Sequence, residues 1–161
     1  IAQAFGMKVC AHDPGLSNKD IRARGAKPMK LDALLAASDI ISLHAPHIPA
    51  THHIIGRAAI AKMKKGAFVV NAARGPLIDE KALAKALKSG KLGGAALDVL
   101  DGEPPNPKSP IFDAPGIILT PHMAGSTVEC LEAIARTAGE DIARVLSGKR
   151  AKFPVNKSAK K

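Results

Sequence analysis

The chain has 161 residues, about the length of one domain, and a hydrophobic content of 46% is enough for a packed core. The formal net charge of +10 raises nucleic acid as a partner, but aromatic residues are only 2% of the chain and include no Tyr or Trp to stack on bases. Six of the 24 Lys and Arg residues lie in the segment GKRAKFPVNKSAKK, which is typical of a solvated tail. We therefore expect no nucleic-acid partner, and the sequence pattern predicts no membrane partner.

Short apolar runs alternate along the chain with stretches of helical periodicity. The apolar runs are typical of strands that are covered on both faces of a sheet. They predict strands at residues 7–11, 40–44, 67–71, 95–99 and 117–120. Helices are predicted at residues 31–38, 57–63, 79–90 and 126–147, the last with Thr127 as its N-cap. This alternation predicts an α/β fold with a doubly wound parallel sheet.

Polar or charged residues follow every predicted strand. Ligands of parallel α/β sheets bind beyond the carboxyl ends of the strands, which meet at one edge of the sheet. We therefore expect a shared site formed by residues 12–13, 44–46, 71–75, 98–103 and 120–125.

Asp13 ends the first predicted strand. In a dinucleotide-binding fold, an acid at an early strand end bonds the hydroxyls of the adenosine ribose and repels a 2′-phosphate. The alternative is that Asp13 only forms a turn, because the sequence DPG is also favourable turn chemistry. The glycine fingerprint that usually accompanies such an acid would lie upstream of residue 1.

Arg74 closes an apolar run in the segment FVVNAARG. An unpaired charge at the rim of a core is costly, so Arg74 requires an acidic partner or an anionic ligand. The guanidinium group matches a carboxylate with two parallel hydrogen bonds. The alternative is a structural ion pair with Asp79 or Glu80.

His122 follows the last predicted strand in the segment ILTPHMAGST. A histidine in this place can exchange a proton near neutral pH, and Glu103 beside it would stabilise the imidazolium form. The alternatives are that His122 caps the long helix and that Glu103 is a surface charge in its loop.

These three side chains together fit one reaction. Arg74 would bind a carboxylate and polarise an adjacent carbonyl group, while His122 exchanges the hydroxyl proton and Glu103 supports His122. No side chain can supply a hydride, so a hydride-carrying cofactor is required.

Two further groups of residues have a structural interpretation. A histidine cluster, LHAPHIPATHH, contains no cysteine or acid and is interrupted by two prolines, so we expect a rigid loop and no metal site. Cys10 and Cys130 lie far apart without a CxxC motif, which predicts free thiols and favours a reducing cytoplasm.

Three segments resemble the signatures of one known family. VNAARGPLIDEKAL, GAALDVLDGEPP and LTPHMAGST are similar, in order and in spacing, to signature segments of the D-isomer-specific 2-hydroxyacid dehydrogenases. AFGMKVCAHDP and SLHAPHIPATHHIIG resemble two further segments of the family. The resemblance extends from residue 1 to about residue 156 and implies a Rossmann-like fold.

The resemblance also implies roles for individual residues. Arg74 would bind the substrate carboxylate, Glu103 and His122 would form the acid/base pair, and Asp13 would select NAD over NADP. Asp98 would contact the nicotinamide carboxamide, the alternative being an aspartate that caps the loop after its strand. The remaining residues expected to line the cofactor cleft are Pro46, Asn71, Ala73 and Gly125.

The resemblance further implies a fragment. We expect residues 1–152 to be a partial NAD-binding domain that lacks its first strand and glycine loop, so that the chain would not fold stably alone. We expect residues 153–161 to be a basic, disordered tail.

The implied protein is a homodimeric NAD-dependent enzyme that interconverts a D-2-hydroxy acid and its 2-keto acid. Phosphoglycerate, hydroxypyruvate, glyoxylate and lactate-like substrates all remain open, with a preference for the first two. The alternative is an NAD-binding corepressor of the same superfamily, which would use the dinucleotide to control assembly.

Overall fold

Parallel strands in two sheets form the centre of the fold in the computed structural model, which describes residues 1–155. The larger sheet has the order β3-β4-β5-β6, and a separate pair is formed by β1 and β2. Every pairing is parallel. The strands are β1 (Cys10–Ala11), β2 (Lys27–Pro28), β3 (Ile40–Leu43), β4 (Ala67–Asn71), β5 (Leu92–Leu97) and β6 (Ile117–Leu119). The predicted α/β class and parallel sheet are confirmed.

Helices follow the strands, and polar side chains cap several of them. The helices are α1 (Asn18–Ala23), α2 (Leu31–Ala37), α3 (Arg57–Lys62), α4 (Glu80–Lys88) and α5 (Val128–Leu146), with 3₁₀ segments at Ala2–Phe5 and Gly75–Leu77. Asp79 caps α4 by accepting from the amide of Ala82. Thr127 caps α5 by accepting from the amide of Cys130, as predicted.

Some elements differ from the predictions. Neither α1 nor β2 is predicted, because a six-residue helix and a two-residue strand are too short to show periodicity. β5 begins at Leu92 rather than at residue 95, although glycines such as Gly94 are unfavourable in strands. A methyl group at Gly94 would lie 2.8 Å from the carbonyl oxygen of Gly116 and 2.9 Å from the ring of Phe68, so close packing requires glycine there.

The core lies against one face of the four-stranded sheet. Val69 of β4 is fully buried and packs in one cluster with Leu35 of α2 and Leu83 of α4. Side chains alternate along a strand, so the neighbouring residues point to the other face. That face is exposed among the described residues, and its large apolar side chains are Ile40, Phe68 and Ile118.

The chain divides after His122 into two compact units. The first contains both sheets, and the second contains α5. Within the second unit, Asp141 accepts hydrogen bonds from the amides of Lys152 (2.6 Å) and Phe153 (2.9 Å), which fold the chain back onto α5. The predicted boundary at residue 152 remains a prediction, and residues 156–161 of the predicted tail lie outside the described part. No helix within residues 1–155 has the length and apolar character needed to cross a membrane.

Candidate active site

The strands of the larger sheet end at one level. Leu43, Asn71, Leu97 and Leu119 are partners in register across β3, β4, β5 and β6. The four following segments therefore leave the same edge of the sheet, as predicted. The fifth predicted segment, residues 12–13, instead follows β1 of the separate two-stranded sheet.

Glu103 and His122 are in direct contact at this edge. His122 Nδ1 and Glu103 Oε2 are 2.7 Å apart, and both side chains are about half exposed. Thr127 caps α5, so the alternative role of His122 as the helix cap is wrong. Nδ1–H donates to the carboxylate, which leaves Nε2 as the ring nitrogen that can meet a ligand.

The backbone around His122 is held by the end of the neighbouring strand β5. The amide of His122 donates to the carbonyl oxygen of Asp98 at 2.8 Å, and His122 has a φ of 53°. Positive φ values are uncommon outside glycine, although histidine tolerates them better than most residues. This conformation places the imidazole against Glu103.

Arg74 has no acidic partner among residues 1–155. Asp79 caps α4, and Glu80 accepts from Asp101 and Ser109. The alternative of a structural ion pair with Asp79 or Glu80 is therefore wrong. The exposed guanidinium donates only to the carbonyl oxygen of its neighbour Ala73, so it can bind an anion.

The turn that carries Arg74 is fixed by Asn71 and Gly75. Asn71 is 1% exposed, accepts from the amide of Ala73 and donates to the carbonyl oxygen of Arg74 at 2.9 Å. A methyl group at Gly75 would lie 1.9 Å from the carbonyl oxygen of Leu100, so this turn is packed against the loop that leads to Glu103. The structure thus brings the Arg74 turn and the Glu103 loop together.

Asp98 is buried at the end of β5. It is 8% exposed, and its Oδ1 accepts a hydrogen bond of 2.6 Å from the hydroxyl of Thr120. This bond links the ends of β5 and β6. Thr120 lies in the predicted site segment 120–125, but the sequence assigns it no individual role, because its local signal is no more than a hydroxyl residue between a strand and Pro121.

Asp13 lies at a separate cleft beside β1 and β2. The cleft has a volume of about 320 Å³ and is lined by His12, Asp13, Asn18, Ile21, Pro28, Met29 and Lys30. Asp13 Oδ1 accepts from the amide of Gly15 at 2.8 Å, so the turn-forming role is present. The other carboxylate oxygen of this exposed residue remains available to a hydroxyl group.

The other predicted cofactor residues have less distinct environments. The carbonyl oxygen of Pro46 accepts from the hydroxyl of Thr51 at 2.7 Å, and the amide of Ala73 donates to Oδ1 of Asn71. Gly125 belongs to the second unit, where a methyl group would meet nothing within 4 Å. Direct cofactor contacts for Pro46, Asn71, Ala73, Asp98 and Gly125 remain predictions. Across the described chain, no group of three or more His, Cys, Asp and Glu side chains could hold a metal ion.

The fold and the two ligand-facing regions define a dinucleotide-binding α/β domain. The cleft beside β1 and β2 is lined by Asp13, and one oxygen of that carboxylate is bonded to the amide of Gly15. The edge of the larger sheet carries the bonded pair of His122 and Glu103, and within residues 1–155 it also carries Arg74 without an acidic partner.

Known proteins are similar to the chain over nearly its full length. Residues 1–124 match the family described as "D-isomer specific 2-hydroxyacid dehydrogenase, NAD binding domain". The D-3-phosphoglycerate dehydrogenase of Archaeoglobus fulgidus is 41% identical over 154 residues, which are 96% of this chain and 29% of that enzyme. The D-3-phosphoglycerate dehydrogenase of Methanocaldococcus jannaschii is 44% identical over 156 residues, which are 96% of this chain and 30% of that enzyme.

A solved structure shows the same fold. The TT0316 protein from Thermus thermophilus superimposes with a TM-score of 0.88 at 37% identity, over 96% of this chain and 48% of that one. This likeness confirms the predicted Rossmann-like fold.

The chain belongs to the D-isomer specific 2-hydroxyacid dehydrogenase family, within its NAD binding domain. NAD is therefore confirmed as the cofactor of the family domain. The chain spans about 30% of the length of the two phosphoglycerate dehydrogenases that it matches.

Proposed function

We propose that the protein is an NAD-dependent oxidoreductase that interconverts a D-2-hydroxy acid and its 2-keto acid. The observation that carries the proposal is the 2.7 Å contact between His122 and Glu103 at the edge where Arg74 has no acidic partner. Reduction of a keto acid adds a hydride to the carbonyl carbon and a proton to its oxygen. Arg74 would bind the carboxylate, and His122, supported by Glu103, would supply the proton.

Two regions of the proposed site would hold the cofactor. Bound NAD supplies or accepts the hydride, which no side chain can do. Asp13 binds the ribose hydroxyls of the adenosine half and repels a 2′-phosphate, and Asp98 serves the nicotinamide end.

The proton is handled by His122. Glu103 accepts a hydrogen bond from Nδ1–H and thereby fixes the orientation of the ring. Nε2 then donates to the carbonyl oxygen in reduction and accepts from the hydroxyl in oxidation. Arg74 holds the carboxylate with two parallel hydrogen bonds and polarises the neighbouring carbonyl group.

The substrate that we propose first is a phosphorylated or hydroxylated three-carbon acid. Two similar relatives are named D-3-phosphoglycerate dehydrogenase, which supports 3-phosphoglycerate and hydroxypyruvate ahead of glyoxylate and lactate-like acids. We also propose a homodimer, as the family resemblance implies. A cytoplasmic location is supported by the two free cysteines, Cys10 and Cys130.

A direct test follows NADH absorbance with the full-length protein and a panel of 2-keto acids. We expect turnover with at least one acid, and we expect His122→Gln to lower kcat by about 100-fold or more because the proton donor is lost. His52→Gln, which changes a histidine outside the proposed site, is the matched control and should retain activity.

Each result of this test has a clear meaning. An unchanged kcat for His122→Gln would refute its acid/base role, and a preference for NADPH would refute the role of Asp13. NAD binding without turnover of any acid would favour the corepressor-like alternative.

A further inference from the structure

We infer that Glu80 is a positioning residue that holds Glu103 against His122, an inference that rests on the proposed function. Glu80 is the first residue of α4 and is partly buried. It does not touch His122 in the structure, so its effect on the reaction would be transmitted through the Glu103 loop.

The two carboxylate oxygens of Glu80 bind two points of one loop. Oε1 accepts from the amide of Asp101 at 2.7 Å, and Oε2 accepts from the hydroxyl of Ser109 at 2.8 Å. Glu103 lies between these two points. A single side chain therefore fixes the loop on both sides of the residue that contacts His122.

The loop has few other anchors. Residues 101–108 are exposed, and the next fully buried apolar side chain is that of Ile111 at 0% exposure. The side chain of Glu103 is held only by its contact with His122 within the described chain. Hydrogen bonds to Glu80 therefore carry much of the order of this segment.

A glutamate suits this position for electrostatic reasons. Hydrogen bonds to an ionised acceptor are stronger than those between neutral groups. The first turn of a helix also favours negative charge, because its free amides leave a partial positive charge there. Asp79 already caps the helix, so the carboxylate of Glu80 is free to reach across to the loop.

Arg74 has a support of its own that does not involve Glu80. The side chain of Asn71 bonds its turn at two points, although Gly75 also packs against the backbone of Leu100 and Asp101. Loss of Glu80 should therefore disturb proton transfer more than binding of the substrate carboxylate. The two kinetic constants separate these effects.

The test compares Glu80→Ala, Glu80→Gln and Lys81→Ala in the full-length protein with its best 2-keto acid. We expect Glu80→Ala to lower kcat about tenfold with a smaller change in KM, because Glu103 is displaced from the ring. Glu80→Gln keeps an acceptor for Asp101 and a polar partner for Ser109, so it should restore most of kcat. Lys81→Ala, an exposed neighbour on α4, is the control for the helix.

A double-mutant cycle distinguishes positioning from a general loss of structure. If Glu80 acts through Glu103, the change Glu80→Ala should have little further effect on kcat in a Glu103→Gln background. If the double variant instead lowered kcat by the product of the two single factors, the inference would be overturned. Thermal unfolding of every variant shows whether a loss of kcat accompanies a loss of folded protein.

Failure of the inference differs from failure of the proposed function. If Glu103→Gln and His122→Gln both lower kcat strongly while Glu80→Ala does not, only the role of Glu80 is refuted. If Glu103→Gln leaves kcat unchanged, the acid/base pair itself is wrong.

Discussion

Arg74 shows how a single residue can indicate a ligand. Its guanidinium is exposed at the end of a buried strand, and the two nearby acids that might pair with it have other partners. The turn beneath it is rigid, because the buried side-chain amide of Asn71 accepts from the backbone of Ala73 and donates to the backbone of Arg74. A rigidly placed cation without an internal counter-ion in the described chain is suited to an anionic substrate.

Two substitutions of Arg74 distinguish the effect of its positive charge from the effect of its two parallel hydrogen bonds to a carboxylate. We expect Arg74→Ala to raise KM for the keto acid and to lower kcat, because both binding and polarisation of the carbonyl are lost. Arg74→Lys should recover only part of the loss, since an ammonium group cannot form two parallel bonds to a carboxylate. Steady-state kinetics over a substrate series measures both constants.

The control for Arg74 is Arg136→Ala, which changes an exposed arginine on α5. It should leave both constants near those of the unsubstituted protein. Equal KM values for Arg74→Ala and Arg136→Ala would contradict the carboxylate-binding role.

At the scale of elements, the sequence predicts well the longer helices, α4 and α5, and the ends of the strands. Apolar runs locate β3 and β4, and the residues beyond the strand ends include Arg74, Glu103 and His122. The pattern fails for β5, where glycines are required by the neighbouring Phe68 ring and the backbone of Gly116. Such close packing is a property of neighbours in space and leaves no local periodicity.

The role of Glu80 is hidden from the sequence for the same reason. Its partners lie 21 and 29 residues further along the chain, and nothing in the local pattern distinguishes it from a first-turn glutamate. An ion pair with Arg74 is an equally reasonable interpretation of the sequence, and only the position of the loop excludes it.

The contact between the Arg74 turn and the Glu103 loop predicts a clear stability difference. We expect Gly75→Ala to destabilise the protein by about 1–3 kcal/mol, because the new methyl group overlaps the backbone of Leu100. Gly139→Ala, in α5 with open space around it, should instead stabilise by about 0.5–1 kcal/mol. Urea unfolding measures both, and equal effects of the two substitutions would show that the close packing is misassigned.

Asp141, near the end of α5, predicts that the stability of the folded protein depends on pH. Amide hydrogen bonds from Lys152 and Phe153, with the positive charge of Arg144 nearby, lower the pKa of Asp141 from its ordinary value of 3.8. A lowered pKa means that the ionised form is favoured in the folded state, so this contribution to stability is complete above pH 3.8 and is lost as the pH falls below it.

The measurement compares thermal unfolding of the unsubstituted protein and Asp141→Asn across this pH range. We expect the substituted protein to be less stable near neutral pH, with the difference closing in acid. Asp113→Asn, which changes an exposed aspartate outside α5, is the control. A stability difference that persists unchanged at the lowest pH would contradict the assignment.

At the scale of the whole molecule, the four-stranded sheet is covered on one face only within the described residues. Ile118 is 66% exposed and Phe68 is 47% exposed on the other face. Contiguous exposed apolar surface of this kind is a recognised cause of association. The relatives that the chain matches are about three times longer, so the same face can have different surroundings in a longer polypeptide.

An uncovered apolar face is also a reason to expect that a single copy of the 161-residue chain is not stable alone. We therefore expect copies of this chain to associate through the face, and Ile118→Ser to weaken the association. Sedimentation velocity over a range of concentrations measures the effect. Ile1→Ser removes an isoleucine that is 101% exposed and lies outside the sheet, so it is the matched control. Identical sedimentation of the two variants would refute association through the sheet face.

The backbone of His122 has a consequence for how the protein could evolve. A left-handed conformation costs a residue with a Cβ roughly 1–2 kcal/mol, and glycine would relieve that cost. Glycine would also remove the imidazole that we propose as the proton donor and acceptor. Selection for thermal tolerance and selection for turnover would therefore act in opposite directions on this one codon, and the presence of histidine is the outcome expected when catalysis prevails.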